Sequence, residues 1–276
     1  MSILSHAFMQ YALIAAIITG LSAPAVGTFV VQRRLALLGD GLGHVALTGV
    51  ALGLLTNVAP LTTALIVAVA GAVLLEVLRS VGRTSGDLAL AMLFYGGIAG
   101  GVLLTNLAGE NAATLNRFLF GSIITMSRTD LAIVVVLGLV VVAATIALRP
   151  QLFALCQDEA QARVMGIPVR LYGILIAVLA AVTVTVAMRT VGLLLVSALM
   201  VVPVAASQQL TRSFRSTHLA AMGIGLFSAV SGLLVSYQID TQPGPTIVMI
   251  AIAVFVVSSV TNGVLHMRTR QEAPHG

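Results

Sequence analysis

Long apolar stretches dominate this chain, and short polar connections separate them. About 20 residues of α-helix cross the roughly 30 Å of hydrocarbon in a bilayer. Nine stretches near that length are rich in Val, Leu, Ile and Ala: 8–31, 35–56, 60–79, 86–108, 129–148, 171–188, 191–210, 217–236 and 245–265. They lack the alternating polarity of barrel strands. The pattern predicts an all-α polytopic membrane protein, a single transmembrane domain over 1–276, with about nine spans. Eight is the alternative count, because the turn at Arg189 is short.

The composition agrees with a membrane environment. The chain has 276 residues, of which 59% are hydrophobic and 8% charged, and its mean hydropathy is +1.09. A water-soluble protein of this length cannot cover its surface with so few charges. The lone cysteine, Cys156, cannot form an internal disulfide.

The basic residues predict an orientation. All 14 are arginines, and they divide between alternate connections. One side carries Arg33, Arg34, Arg79, Arg83, Arg149, Arg163, Arg170, Arg212, Arg215, Arg268 and Arg270, whereas the other carries Arg117, Arg128 and Arg189. The arginine-rich side is expected to be cytoplasmic. This places the C-terminus inside and, with nine spans, the N-terminus outside the plasma membrane. The formal charge of +5 is therefore a topology signal, and no nucleic-acid partner is expected.

Several classes of chemistry are excluded by missing residues. The sequence contains no lysine, so it has no P-loop, which needs a lysine to hold nucleotide phosphates. If ATP is used, another polypeptide must bind it. HExxH, GxSxG and CxxC motifs are also absent. The chain is therefore not expected to be an enzyme, and no permanently bound cofactor is expected.

Asp40 and His44 are the best candidates for a metal contact. They are four residues apart, so on a helix they point the same way and can share one ligand. His44 lies about 15 Å deeper than Arg34, at 1.5 Å per residue. A carboxylate with an imidazole suits zinc or manganese, and two ligands make a weak site that can release its ion. A buried Asp–His hydrogen bond that only packs the helix explains the pair equally well.

The longest arginine-side connection, 149–170, predicts a short helix outside the membrane. Asp158 can cap it, Glu159 suits its first turn, Gly166 can close it and Pro168 ends it. Such a helix of about two turns could fill a groove on a soluble partner, or it could be a simple amphipathic connector. Elsewhere, Glu76 and Arg79 predict a local ion pair, and His218 is expected to be solvated.

Residues 33–40, followed by His44, resemble the RRxALxGDxxxH stretch in the permease subunits of zinc, manganese and iron ABC importers. Other segments resemble that family in the same order: 85–90, 119–123 with Ser127, 166–168 after the acidic pair, 191–199 with Pro203, and 244–246. The resemblance covers roughly residues 10–265. Glycines at 41 and 43 depart from the usual pattern, where alanine and leucine are common.

The resemblance implies a type II ABC importer-like fold with a cytoplasmic coupling helix. It implies a homodimer that binds two ABC ATPase subunits inside and receives metal from an extracytoplasmic metal-binding protein. The metal contacts would be Asp40 and His44, with Zn²⁺ or Mn²⁺ as the transported substrate. The residues implied to couple to the ATPase are Asp158, Glu159, Ala160, Arg163, Val164, Gly166 and Pro168.

Other functions predict different residues. A secondary metal transporter needs several acidic groups within the bilayer to couple ions, and Asp40 with Glu76 is a small set for that purpose. A metal-chelate or vitamin permease would have little use for Asp40 and His44 on one face. The sequence does not identify the metal, because aspartate and histidine accept zinc, manganese and ferrous iron.

Overall fold

The structure, a computed structural model, describes residues 7–80, 86–109, 118–121, 127–188 and 190–271. Within these ranges the chain is helical and contains no β-strand. The helices are α1 Ala7–Gln32, α2 Leu38–Thr56, α3 Pro60–Ser80, α4 Gly86–Leu107, α5 Arg128–Ala147, α6 Arg149–Gln157, α7 Glu159–Val164, α8 Val169–Ala187, α9 Leu193–Leu210, α10 Phe214–Gln238 and α11 Pro243–Gln271. The predicted all-α class is confirmed.

Eight of these helices are long and apolar enough to cross a membrane. They are α1 to α5, α8, α10 and the part of α11 up to Gly263. The remaining predicted span, 191–210, forms the apolar helix α9, whose 18 residues are one fewer than those of α2 and α8. They rise about 27 Å, close to the thickness of a hydrocarbon core. Within the described residues the bundle therefore contains these eight candidate spans and α9.

Helix α2 lies inside the bundle. It packs against α3, α4, α8 and α9, while α1 packs against α5, α8, α9 and α10. The core includes Phe29, Leu42, Leu199 and Ile247, all at most 1% exposed. Helix α4 packs mainly against α2, and its Tyr95 is 69% exposed. The helix bearing Asp40 and His44 is thus central, and α4 is peripheral.

Small residues allow the helices around α2 to approach closely. A Cβ atom at Gly49 would lie 2.6 Å from the Cα atom of Ala64 on α3. A Cβ atom at Gly97 on α4 would lie 2.7 Å from the carbonyl carbon of His44. Real Cβ atoms essentially never approach other atoms so closely. Glycine is therefore required for the observed helix spacing on two sides of α2.

The connection between α5 and α8 differs from the prediction of a single short helix. It contains two helices, α6 and α7, separated by Asp158 in extended backbone (φ −157°, ψ 115°). Helix α6 begins with Pro150 in its first turn and buries Leu152 and Leu155, which are three residues apart. It was missed because its weak apolar pattern is short, and its stability depends on tertiary packing.

Candidate metal site and coupling helix

A partly exposed stripe runs along α2. Every residue from Leu38 to Ala51 is buried except Asp40, His44 and Thr48, which are partly exposed. These positions are four residues apart, so they lie on one helical face with a rise of about 6 Å between neighbours. The predicted pair is therefore brought together on an accessible face. Helices α3, α4, α8 and α9 cover the other faces of α2.

Asp40 lies in the first turn of α2, where a carboxylate interacts favourably with the helix dipole. Its Oδ1 atom accepts a hydrogen bond from Ser197 Oγ on α9, 157 residues away in sequence. A Cβ atom at the neighbouring Gly39 would lie 3.0 Å from Ser197 Cβ, so the two helices are in close contact here. Among the described residues, Asp40 is held by Ser197 rather than by His44. Ser197 had no sequence signal that linked it to Asp40.

His44 is fixed by α4. Its ring lies 4.6 Å from the ring of Phe94, centroid to centroid, in an edge-on contact at 78°. Its backbone is in close contact with Gly97. These contacts restrict the imidazole from one side and leave it partly exposed on the stripe. The site is therefore built by three helices: α2 carries the donors, α9 orients Asp40 and α4 supports His44.

Thr48 is a third polar residue on the stripe that the sequence analysis did not select. Its Oγ1 donates a hydrogen bond of 2.8 Å to the Gly97 carbonyl oxygen. Threonine hydroxyls in membrane helices commonly bond to backbone, so a single threonine carries little sequence signal. The repeat of polar residues at 40, 44 and 48 was the signal that could have identified it.

Asp40 and His44 supply one carboxylate and one imidazole, which are both ligands for divalent first-row metals. Within the described residues no group of three or more His, Cys, Asp and Glu side chains lies close enough to hold a metal ion. Among the described residues, the His, Cys, Asp and Glu side chains at this position therefore provide two candidate ligands, Asp40 and His44.

The capping pattern predicted for the loop helix is confirmed in α7. Asp158 Oδ1 accepts hydrogen bonds from the backbone N–H groups of Ala160 (2.7 Å) and Gln161 (3.1 Å). Gly166 has a left-handed φ of +80° and donates its N–H to the Arg163 carbonyl (3.0 Å). Pro168 precedes α8 as its N-cap. Helix α7 is thus closed by local interactions at both ends.

Helix α7 has an inner and an outer surface. Ala162 is 1% exposed and attaches the helix to the bundle. Ala160 and Arg163 are exposed, Val164 is 89% exposed and Met165 65%. An apolar valine and methionine at such exposure form a small protruding surface. Glu159 differs from the other predicted coupling residues because its carboxylate forms ion pairs with Arg33 and Arg79, which lie outside α7.

The predicted Glu76–Arg79 ion pair is confirmed, and it belongs to a larger group. Arg79 Nη1 lies 3.5 Å from Glu76 Oε2, and Arg33 Nη2 lies 3.2 Å from Glu76 Oε1. Glu159 Oε1 lies 2.7 Å from Arg33 Nη2 and 3.4 Å from Arg79 Nη2. Burial opposes the charged form of Arg33, but Glu76 and Glu159 outweigh burial and raise the Arg33 pKa.

The expectation that His218 is solvated was wrong. Its side chain is 0% exposed, and its ring lies 5.4 Å from the ring of Phe29 and 6.2 Å from that of Phe214. The residue sits near the start of α10, at the beginning of the predicted span 217–236. Burial arises from contacts between α1 and α10 that the local pattern does not reveal. Nothing in its surroundings gives it a role in the metal site.

Comparison with known proteins identifies the family. Residues 5–262 match the ABC 3 transport family. The chain belongs to this family. The match covers the whole helical bundle, including the α2 stripe and α7.

Individual relatives agree with this assignment. The manganese transport system membrane protein MntC of Halalkalibacterium halodurans is 32% identical over 256 residues, which cover 93% of this chain and 88% of that protein. The high-affinity zinc uptake system membrane protein ZnuB of Haemophilus influenzae is 29% identical over 247 residues, 90% of this chain and 95% of that protein. A chain in a solved structure of PsaBC from Streptococcus pneumoniae in complex with Fab is 29% identical, with a TM-score of 0.83 and 92% of both chains covered.

Proposed function

We propose that this protein is the membrane-spanning permease subunit of an ATP-driven importer of manganese or zinc, with ferrous iron as the third candidate. The observation that carries the proposal is the placement of Asp40 and His44 on the one accessible stripe of a buried central helix. Ionisable groups within a membrane are costly and usually functional. Membership of the ABC 3 transport family, and the metals in the names of two relatives, support the same substrate class.

Transit requires a site that binds a metal ion and then releases it. Two ligands per chain give weak binding, whereas a closed four-ligand site retains its ion. A homodimer would place two Asp–His pairs on the path, so the affinity would depend on how closely the two chains approach. Metal would arrive from an extracytoplasmic binding protein and move along the stripe from Thr48 towards His44 and Asp40.

Substitutions at the two donors test the metal site. Asp40→Asn keeps the size of the side chain but removes its charge, and His44→Leu removes the imidazole donor. We expect each to reduce uptake of radioactive manganese or zinc, per assembled complex, by about tenfold or more, because few ligands remain. Asp240→Asn is the matched control: it is the same chemical change at an exposed position whose left-handed φ of +51° asparagine tolerates. Normal uptake by the His44→Leu protein would end the metal-site proposal.

The energy source separates this proposal from the alternatives. A secondary transporter takes up metal without an ATPase, whereas the proposed permease requires two copies of a cytoplasmic ABC ATPase subunit. Uptake is measured with and without a co-expressed ATPase, and with the metal alone or as a chelate. Uptake that persists without the ATPase would favour an ion-coupled mechanism. Uptake of a chelate but not of the free metal would favour a chelate permease.

Orientation in the plasma membrane follows from the arginine distribution. The side that carries α7 is proposed to be cytoplasmic, together with the C-terminus, and the N-terminus is proposed to lie outside. A cysteine at position 163 is expected to react with an impermeant thiol reagent only from the cytoplasm, and a cysteine at 241 only from outside. Reaction of both from the same side would contradict this topology.

Helix α7 is proposed to dock on the ATPase subunit. Its exposed residues Ala160, Arg163, Val164 and Met165 form the contact surface, while Asp158, Gly166 and Pro168 keep the helix folded. Val164→Glu places a charge on the most exposed apolar side chain and is expected to weaken ATPase association without unfolding the bundle. Co-purification of the ATPase and metal uptake are measured together. If both survive the substitution, α7 is not the docking element.

A further inference from the structure

Four charged side chains form a closed ring next to α7. Arg33 contacts Glu76 and Glu159, and Arg79 contacts the same two carboxylates, at distances of 2.7 to 3.5 Å. Charges alternate around this group, which we call the ion-pair ring. Its members come from the α1–α2 connection, from α3 and from α7. The ring is thus a direct side-chain link between the proposed docking helix and the connection that precedes the helix carrying Asp40.

The ion-pair ring has a fixed half and an open half. The side chains of Arg33 and Glu76 are 4% and 8% exposed, and Gly173 on α8 leaves the space that Glu76 occupies. The side chains of Arg79 and Glu159 are 26% and 45% exposed. They line a polar cavity of about 420 Å³. The stability of a buried charge depends on its ion-pair partners far more than that of a surface charge does. Glu76 and Glu159 together therefore fix the position of the Arg33 side chain.

The connection from Arg33 to Asp40 is short and is held by backbone hydrogen bonds and buried leucines. Arg34 adopts a left-handed φ of +58°, and the Leu35 N–H donates to the Val30 carbonyl at 3.0 Å, which closes the end of α1. The Leu38 N–H then donates to the Leu35 carbonyl at 2.8 Å, at the residue where α2 begins. Leu35 and Leu38 are buried. A displacement of Arg33 therefore cannot be absorbed by a loose loop.

We infer that Arg33, Glu76, Arg79 and Glu159 are positioning residues for transport, which pass movement of α7 to the first turn of α2. This inference rests on the proposed function of α7 as the ATPase docking helix. Glu159 is the member of the ring on α7, so a displacement of α7 moves Arg33 through the Glu159–Arg33 contact. Because Arg33 is joined to α2 by a short connection, the accessibility of Asp40 and His44 changes as a result.

A cysteine beside Arg33 can report this movement. Leu37 is 64% exposed and lies between Arg33 and Asp40, so we choose Leu37→Cys. The one native cysteine, Cys156, is expected to react slowly, because burial raises its pKa to about 12. The complete complex with its ATPase subunits is placed in proteoliposomes. The rate of thiol labelling at 37 is measured with and without ATP, together with ATP hydrolysis and Mn²⁺ uptake.

In the Leu37→Cys parent we expect ATP to change the labelling rate. Adding Glu159→Gln is expected to abolish that change and to lower the Mn²⁺ transported per ATP by about tenfold, while ATP hydrolysis continues. Arg79→Gln is expected to have a smaller effect in the same direction. The double variant is expected to be less impaired than the two single effects combined, since Glu159 and Arg79 share one of their contacts.

Asp87→Asn is the matched control, because it makes the same carboxylate-to-amide change at an exposed residue outside the ring. It is expected to retain the ATP response. An ATP response at 37 that survives Glu159→Gln would overturn the inference. So would a parallel loss of hydrolysis and uptake at a constant ratio, which indicates a purely structural role. Failure of the unsubstituted protein to bind the ATPase would instead overturn the proposed function, and this inference with it.

Discussion

Removal of the Ser197 hydroxyl is the sharpest test of how Asp40 is oriented in the proposed metal site. Ser197→Ala deletes the donor to Asp40 Oδ1 and changes little else, because Ser197 is 8% exposed and alanine fits the same space. A hydrogen bond to a charged group contributes about 1.5–3 kcal/mol. The lower end applies here, since Asp40 is partly exposed and keeps its favourable place in the first turn of α2.

A loss of about 1.4 kcal/mol in the orientation of a ligand corresponds to a tenfold change in affinity. We therefore expect the KM for Mn²⁺ uptake to rise about tenfold, within the range seen when an outer partner of a metal ligand is removed. The maximal rate is expected to change less, because His44 and the path are intact. Initial uptake rates in proteoliposomes over a range of Mn²⁺ concentrations give both quantities.

Ser228→Ala provides a matched control. Ser228 is also a buried serine, but its hydroxyl has no hydrogen-bond partner among the described residues. Its removal is expected to leave the KM unchanged and the protein equally stable or slightly more stable. If Ser197→Ala and Ser228→Ala give the same KM as the parent protein, Ser197 does not position Asp40 for the metal.

Two further predictions concern packing and burial. Gly97→Ala is expected to cost about 1–3 kcal/mol of stability, because its Cβ atom would lie 2.7 Å from the His44 carbonyl carbon. Gly96→Ala, where nothing lies within 4 Å of the added atom, is expected to be neutral or stabilising; thermal unfolding in detergent compares the two, and equal melting temperatures would contradict the close contact. Cys156, with its pKa raised to about 12 by burial, is expected to react with maleimide at pH 8 about 1000-fold more slowly in the folded protein than a thiol of pKa 9. Rapid labelling of the folded protein would show that the thiol is not buried.

Hydropathy was sufficient to predict the fold class, and local capping residues were sufficient to predict α7. Each of these depends on interactions within about twenty residues of sequence. Asp40 and His44 could be paired for the same reason, since residues four apart share a helical face. The structure was needed to show that α8 and α9 are separate helices, because the short turn before α9 left both eight and nine spans possible.

The rest of the site depends on contacts between distant segments. Ser197 reaches Asp40 across 157 positions of sequence, and Glu159 reaches Arg33 across 126. His218 follows a polar stretch yet is buried, because Phe29 on another helix covers it. No local periodicity encodes such pairings in a single sequence. They depend on which helices lie next to each other in the folded bundle.

The partly exposed stripe on α2 has a consequence for how such a permease can evolve. From Leu38 to Ala51, all positions other than 40, 44 and 48 are buried. Substitutions at the buried positions alter packing and are removed by their effect on folding. The stripe side chains contact the bundle through a few groups, the Ser197 hydroxyl, the Phe94 ring and the Gly97 carbonyl. In the proposed metal path, a change of cargo would therefore require substitutions on the stripe and at these partners, and not a new fold.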